Sequence, residues 1–337
     1  MSCDRPALLL ACRRDPRAAE VAAGLDRAGV PAGAGVLVAV SGGADSVALL
    51  GLAAGIACHG RVAPTAGHVD HGLRPESPLD RDAAAEAAER VGVRFLERRL
   101  ALAAGPGVAA RAREARYRAL AEMAAEAGVR WVLTAHHADD QAETVLLALA
   151  RGAGLDGMSG MAPSRALPDG LTLGRPCLRI RREALREACL AAGLRWREDP
   201  GNDRADTPRG RIRHGVIPVL EAIAPGAAAR IARGAEVARE GAAALHGAVA
   251  AAGSGAGAFP RSALRCGSPA RAATAIRMLV GDRIDDAMLW KAADAACDAE
   301  DGPRGFALQG GGTLVVDARS VRLEPQGASS EPRLQRE

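Results

Sequence analysis

The 337-residue chain holds 78 alanines and 40 glycines but only seven aromatic residues, and its 44 cationic side chains are arginines apart from one lysine, Lys291. A hydrophobic share of 48%, a charged share of 25% and a formal net charge of +4 exclude wholesale disorder, and no apolar run reaches the roughly 18–20 residues of a membrane helix. Seven cysteines without a Cys-x-x-Cys pair exclude the usual metal-cluster spacing and suggest no disulfide framework, so a reducing cytoplasm is the expected location.

The length predicts two domains. Ala7-Leu-Leu-Leu-Ala-Cys12 is too short for a signal core and runs at once into Arg13-Arg14. A short helix is predicted over 18–28, broken by Pro31-Ala-Gly-Ala-Gly35. Val36–Val40 is an unbroken apolar run of strand length, as expected for a strand buried on both faces. Helix follows at 47–57, strand at 63–69, helix at 78–91, strand at 93–96, helix at 108–127, strand at 129–134 and helix at 141–150. This alternation predicts an α/β fold with a doubly wound parallel sheet. Residues 151–170 read as a loop. A long helix is predicted from Val216 into the 240s with a break at Pro225-Gly226, then a flexible joint at 253–257. One or two helices and a hairpin-like end (305–308, 313–316, 321–323) complete a smaller, mostly helical domain, and 326–337 reads as a disordered tail.

Three polar motifs fall at predicted strand ends, where ligands sit in such sheets. The first, Ser41-Gly-Gly-Ala-Asp-Ser46, joins strand to helix. Glycines admit close backbone approach, and a helix start offers unpaired N–H groups and a dipole that favours anions. Ser41, Gly42, Gly43, Ala44 and Ser46 thus form a candidate phosphate cradle, although no Gly-Lys-Ser/Thr is present. Asp45 would repel phosphate unless a Mg²⁺ ion bridged them. The second motif is His68-Val-Asp-His-Gly-Leu-Arg74, whose histidines have no defined metal geometry. The third, Ala135-His-His-Ala-Asp-Asp-Gln-Ala-Glu-Thr144, gathers Asp139, Asp140 and Glu143, which a divalent cation or a substrate amine would stabilise. Helix N-terminal carboxylates complementing the dipole are the plainer alternative. On the helix over 108–127, Arg113, Arg116 and Tyr117 share a face, which suits either solvent or a phosphate.

The Ser-Gly-Gly-x-Asp-Ser loop resembles that of the pyrophosphate-loop ATPases. The ordered set of motifs, with Arg151-Gly-Ala-Gly-Leu-Asp-Gly-Met-Ser-Gly-Met161, Arg175-Pro176, Glu198-Asp-Pro-Gly-Asn202 and Arg211-Ile-Arg213, resembles the bacterial tRNA(Ile)-lysidine synthetases over about residues 36–218. The resemblance implies an adenine-nucleotide α-hydrolase-like catalytic domain over 1–215, a helical linker at 216–250 and a small tRNA-binding domain at 251–325. It implies ATP and Mg²⁺ as cofactors. The implied reaction adenylates O2 of the wobble cytidine of tRNA(Ile) with a CAU anticodon, and then joins free L-lysine to carbon 2. On this reading Asp45, Arg113, Asp139 and Asp140 are catalytic, and Asp45 and Asp140 are metal ligands. His136, Glu143, Arg116, Arg211 and Arg213 would contact lysine or tRNA. A homodimer is an implied possibility and no membrane is involved. Gly201 and Gly210 depart from the family's Ser and Asn, which removes two side-chain donors.

Residues 175–213 carry eleven arginines against six acids, an excess of five where the whole chain has four. Such a segment suits nucleic acid or a solvated helix face, and Trp196 within it suits either a base or the core. Two other readings stay open: another pyrophosphate-loop tRNA-modifying enzyme or amidotransferase-type synthetase, and a non-catalytic nucleotide-binding module.

Overall fold

The computed structural model describes residues 5–70, 72, 77–100, 108–198, 206–252, 258–265, 268–298 and 302–324. By its internal contacts the chain divides into two compact units: Met1–Ala150 with Met158–Glu236, and Arg151–Gly157 with Val237–Glu337. The joint at 253–257 and the tail from 326 lie outside the described residues.

The first unit opens with α1 (Arg5–Arg14) and α2 (Pro16–Ala28). Asp15 caps α2 by accepting the Arg17 amide at 2.8 Å, and Gly29 ends it at φ +80°. Then come β1 (Ala34–Ala39), α3 (Ala44–Ala57), β2 (Val62–Asp70), α4 (Ser77–Val91), β3 (Phe95–Arg99), α5 (Val108–Glu126), β4 (Trp131–Leu133) and α6 (Ala138–Ala150). A short α7 (Leu155–Met158) falls at the division between the units. It is followed by β5 (Ser164–Ala166), β6 (Thr172–Gly174), α8 (Arg182–Ala191) and α9 (Pro208–Arg211). A π-helical turn, Ile212–Val216, leads into α10 (Ile217–Ile223), and α11 (Ala227–Ala252) crosses from one unit's residues to the other's.

The sheet runs β3-β2-β1-β4-β6-β5, parallel except for β5. β1 is central, its Val36 paired with both Pro64 and Trp131. Val36, Leu37 and Val38 are fully buried, as their unbroken apolar run predicts. Pro64 lies before the β2–β3 ladder begins at Ala66, where its missing N–H costs no bond. One core packs α1, α2, α3, α4 and α8 on the sheet, and another packs α5 with Leu171 and Leu173. α3 is apolar around its whole circumference and is buried along nearly all its length. From β1 the chain moves outward through β2 and β3, then returns to place β4 on the other side of β1. The crevice beyond the carboxyl ends of β1 and β4 is therefore the switch point of the sheet.

Several elements differ from the sequence reading. Residues 5–14, read only as too short for a signal, form α1; Leu8 and Cys12 are buried, and a Cβ on Gly55 would come within 2.8 Å of the Arg13 amide. The stretch 151–170 holds α7 and the edge strand β5 as well as loop. β3 begins two residues later than expected, at Phe95. The break at Pro225-Gly226 is present. There Glu221 accepts the amides of Gly226 and Ala228 at 2.6 and 3.1 Å and so caps the start of α11.

The second unit contains β7 (Ala258–Pro260), α12 (Arg261–Arg265), α13 (Pro269–Val280), α14 (Asp286–Cys297), β8 (Arg304–Ala307), β9 (Thr313–Val316) and β10 (Ser320–Glu324). Its sheet is antiparallel in the order β7-β10-β9-β8; β7 and the additional helix were not foreseen. Arg261 is 1% exposed, and its guanidinium donates to the carbonyls of Ala295, Ala296, Asp298 and Asp317.

Candidate active site

The loop after β1 is shaped by its own hydroxyls. Ser46 Oγ donates to the Gly43 carbonyl at 2.9 Å and accepts the Ser41 amide at 3.0 Å; the two hydroxyl oxygens are 3.1 Å apart. With its one hydrogen spent on Gly43, Ser46 Oγ takes the Ser41 hydroxyl as a donor. Both serines therefore brace the loop. Gly42 sits at φ +89°, and a Cβ there would lie 2.4 Å from the Asp80 carbonyl oxygen. The Gly42 carbonyl accepts the Arg197 amide at 2.9 Å. α3 starts after Gly43 with no side-chain cap. The first-turn amides of Ala44, Asp45 and Ser46 thus remain the donors for an anion.

Asp45, on that first turn, faces the start of α6. His137, the residue before α6, is 3% exposed and stands among three carboxylates. Its Nε2 is 3.6 Å from Asp45 and 3.5 Å from Asp140, and its Nδ1 is 3.8 Å from Asp139. The Asp140 amide donates to His137 Nδ1 at 3.3 Å, while Asp140 Oδ2 accepts the His137 amide at 3.1 Å. This is the reciprocity of a capping box, with an imidazole in place of a hydroxyl. Burial disfavours the charged imidazole, but Asp45, Asp140 and Asp139 outweigh it and raise its pKa. His136 behaves oppositely. Burial, helped by Arg175, Arg116 and His137 against the pull of Asp140, pushes it down to about 4, and its Nδ1 lies 2.8 Å from Thr134 Oγ1.

The expected carboxylates divide into two kinds. Asp139 is committed to structure: its oxygens receive Arg181 Nε at 3.1 Å and the Arg182 amide at 2.8 Å. Burial would raise its pKa, but these bonds and the nearby charges lower it. Arg181 also reaches Glu221 at 2.9 Å, linking α6, α8 and the cap of α11. Glu143, 1% exposed, receives Arg213 Nε at 2.6 Å. The π-turn carries Arg213 there; its guanidinium also lies 3.8 Å from Asp140. Asp45 and Asp140 keep more open capacity. Asp45 Oδ1 is buried and accepts no hydrogen bond, and its other oxygen lies 4.0 Å from Arg182 Nε. An orphaned carboxylate oxygen beside an anion cradle fits a Mg²⁺ ion, which takes one or two carboxylates and completes its shell with phosphate oxygens and water. Among the described residues, no preformed cluster of three or more metal-ligating side chains is present.

Arg113 and Arg116 lie on α5 beside Tyr117, Arg113 with its guanidinium 5.2 Å from the ring centroid. Arg211 is exposed on α9. His68 Nδ1–H donates to the Val40 carbonyl at 2.8 Å, while His71 and Arg74 lie outside the described residues. Sequence reasoning passed over His137, Arg181 and Arg182. The signal for His137 was its place three residues before Asp140, the capping-box spacing; nothing local marks the two arginines.

Among the described residues of 175–213 the excess charge is largely paired and is not an open basic stripe. Arg179 pairs with Glu236, Arg181 with Asp139 and Glu221, Arg186 with Glu198, Arg195 with Glu86, Arg197 with Asp80, and Arg213 with Glu143. Most of these acids belong to other segments, so a local count overstates the free charge. Trp196 packs partly against the first core and donates to Glu198 at 2.9 Å, as an anchor would. Gly210 is buried with its amide on Thr207 Oγ1 at 3.0 Å, while Gly201 lies outside the described residues.

Residues 20–220 match the family model described as a PP-loop domain. A tRNA(Ile)-lysidine synthase from a Methylobacterium species is 46% identical over 204 residues, covering 59% of this chain and 57% of that protein. One from Salinispora arenicola is 45% identical, covering 60% and 61%, and one from Thermus thermophilus is 44% identical, covering 60% and 38%. The chain thus spans about three-fifths or less of the length of these relatives. Among solved structures, the U34-tRNA thiolase NcsA from Methanococcus maripaludis, with its 4Fe–4S cluster, superposes with a TM-score of 0.56 at 19% identity. That match covers 68% of this chain and 80% of that one, and it reflects a shared fold.

Proposed function

The chain belongs to the PP-loop domain family, and we propose that within it the chain acts on ATP, free lysine and tRNA(Ile) with a CAU anticodon to form lysidine at the wobble cytidine. The observation that carries this reading is the pairing of an uncapped helix start with the Asp45–His137–Asp140 cluster at the sheet's switch point. The names of the similar proteins support the choice of tRNA as substrate.

In the first step the cytidine O2 attacks the α-phosphorus of ATP, and the bond to the β-phosphate breaks. The first-turn amides of Ala44, Asp45 and Ser46 receive charge on the departing pyrophosphate. Asp45 and Asp140 would hold Mg²⁺, which supplies charge neutralisation on phosphate oxygens when bound. In the second step the lysine ε-amine attacks carbon 2 and AMP leaves with the former O2. The amine must shed a proton, and the acids of α6 are the candidates to take it. Asp139 orients α6 through Arg181, and Glu143 holds Arg213 beside Asp140. Cytoplasmic location follows from this substrate. Burial raises the thiol pKa of Cys177 and pushes that of Cys189 up to about 12, which suppresses the reactive thiolate and disfavours sulfur transfer through these two residues.

The test incubates the protein with ATP, labelled lysine and the tRNA. Lysine enters the tRNA with AMP release in step, and Asp45→Ala abolishes both. The proposal fails if no lysine enters while pyrophosphate exchange or sulfur transfer is robust.

A further inference from the structure

Tyr117, the one tyrosine of the chain, is partly buried against the core beneath α5. Two guanidiniums stand over its ring, Arg113 from α5 at 5.2 Å and Arg165 from β5 at 5.0 Å. Arg116 adjoins them, half-buried, and burial lowers its pKa, joined by repulsion from Arg113 and opposed by Tyr117. Among the described residues none of these three arginines has an ion pair or hydrogen bond to a carboxylate. That contrasts with the arginines of 175–197, which are largely matched. Ring attraction holds Arg113 and Arg165 in place but leaves their charge uncompensated. A cluster of like charges held together in this way is arranged for an anion.

We propose that Arg165, stacked on Tyr117 beside Arg113 and Arg116, is a binding residue for a phosphodiester of the RNA substrate. The inference rests on the tRNA reading above and adds a residue and a contact to it. The strand that carries Arg165 stands apart from the loop after β1. Arg165 pairs in register with Leu173, one residue short of the carboxyl end of β6. Its strand is the third beyond β1 in the sheet, about 14 Å away at the usual strand spacing. The phosphates of ATP belong at the loop after β1. Arg113 and Arg165 are exposed while Arg116 is half-buried and its charge is felt by His136, so the arginines grade from open surface towards the carboxylates. A chain of phosphates flanking a base that enters the site would follow that gradient. Contacts of this kind position RNA without reading its sequence.

The experiment titrates the tRNA onto the full chain at several salt concentrations and measures ATP–Mg binding separately by calorimetry. One lost phosphate contact lowers the slope of log affinity against log salt by about 0.7–0.9, which at ~0.1 M salt is about a five- to eightfold loss. Arg165→Gln is expected to show that loss and slope change with ATP affinity retained. Arg165→Lys, which keeps the charge, is expected to recover the slope. Tyr117→Leu, which keeps an apolar side chain on the core, is expected to weaken tRNA binding in the same sense, and melting curves check that each variant folds. An unchanged salt slope for Arg165→Gln, or an equal loss of ATP affinity, overturns the inference. A parent protein that binds no tRNA overturns the tRNA reading together with it.

Discussion

Removing the guanidinium of Arg213 tests the carboxylate frame directly. Arg213→Met leaves Glu143, whose side chain is 2% exposed, without the cation 2.6 Å away. Breaking a buried pair in this way costs about 3–5 kcal/mol. The Arg213 side chain is 26% exposed, so water reaches its end of the pair and the lower figure of about 3 kcal/mol is expected. For a unit of this size that lowers the melting temperature by about 6–12 °C. Denaturation can be followed through Trp131 and Trp196 with Trp290→Phe in the background, so that only the first unit reports. Adding Glu143→Gln removes the stranded charge and is expected to restore at least half of the lost stability. A single variant within about 0.5 kcal/mol of the parent, or a double variant no more stable than Arg213→Met, would refute the reasoning.

Asp139 has a depressed pKa, so its stabilisation is complete above about 3.9 and is lost as pH falls through the lower folded value. Asp139→Asn is expected to be less stable at neutral pH and to show a flatter acid limb, read by melting temperature against pH. Gly42→Ala forces a Cβ towards the Asp80 carbonyl at positive φ. A loss of about 1–3 kcal/mol and sharply weaker ATP binding by calorimetry are expected, and wild-type affinity would contradict the cradle geometry. Arg261→Met strands four carbonyls in the second unit, and a loss of about 3 kcal/mol or more is expected in the transition reported by Trp290.

The sequence carried the fold where local pattern and tertiary role agree. The apolar run at 36–40, the glycines at 42 and 43 and the helix behind them placed the cradle, because burial on both faces and positive φ leave local marks. The break at 225–226 was visible for the same reason. Other parts depend on partners far along the chain. Arg181 reads as one more cation of a basic segment until α8 is laid against α6, where it meets Asp139, 42 residues away. Asp139 and Asp140 are neighbours of the same type, yet one is bound by Arg181 and the Arg182 amide of α8 and the other meets His137 and Arg213; no spacing rule distinguishes them. Arg165 lies in a stretch read as loop, and only strand pairing with β6 brings it to Tyr117.

Arg261 also constrains how the second unit comes into being. Its carbonyl partners lie 34, 35, 37 and 56 residues further along the chain, so the guanidinium cannot leave water until α14 and the β9–β10 turn have both been made. Burial before then would strand a cation in an apolar interior. The requirement favours closure in one cooperative event over accretion helix by helix, and it makes the last hairpin a condition for α12 to dock. A ribosome-bound chain that had emerged only as far as α13 would hold Arg261 in solvent, waiting for segments not yet synthesised.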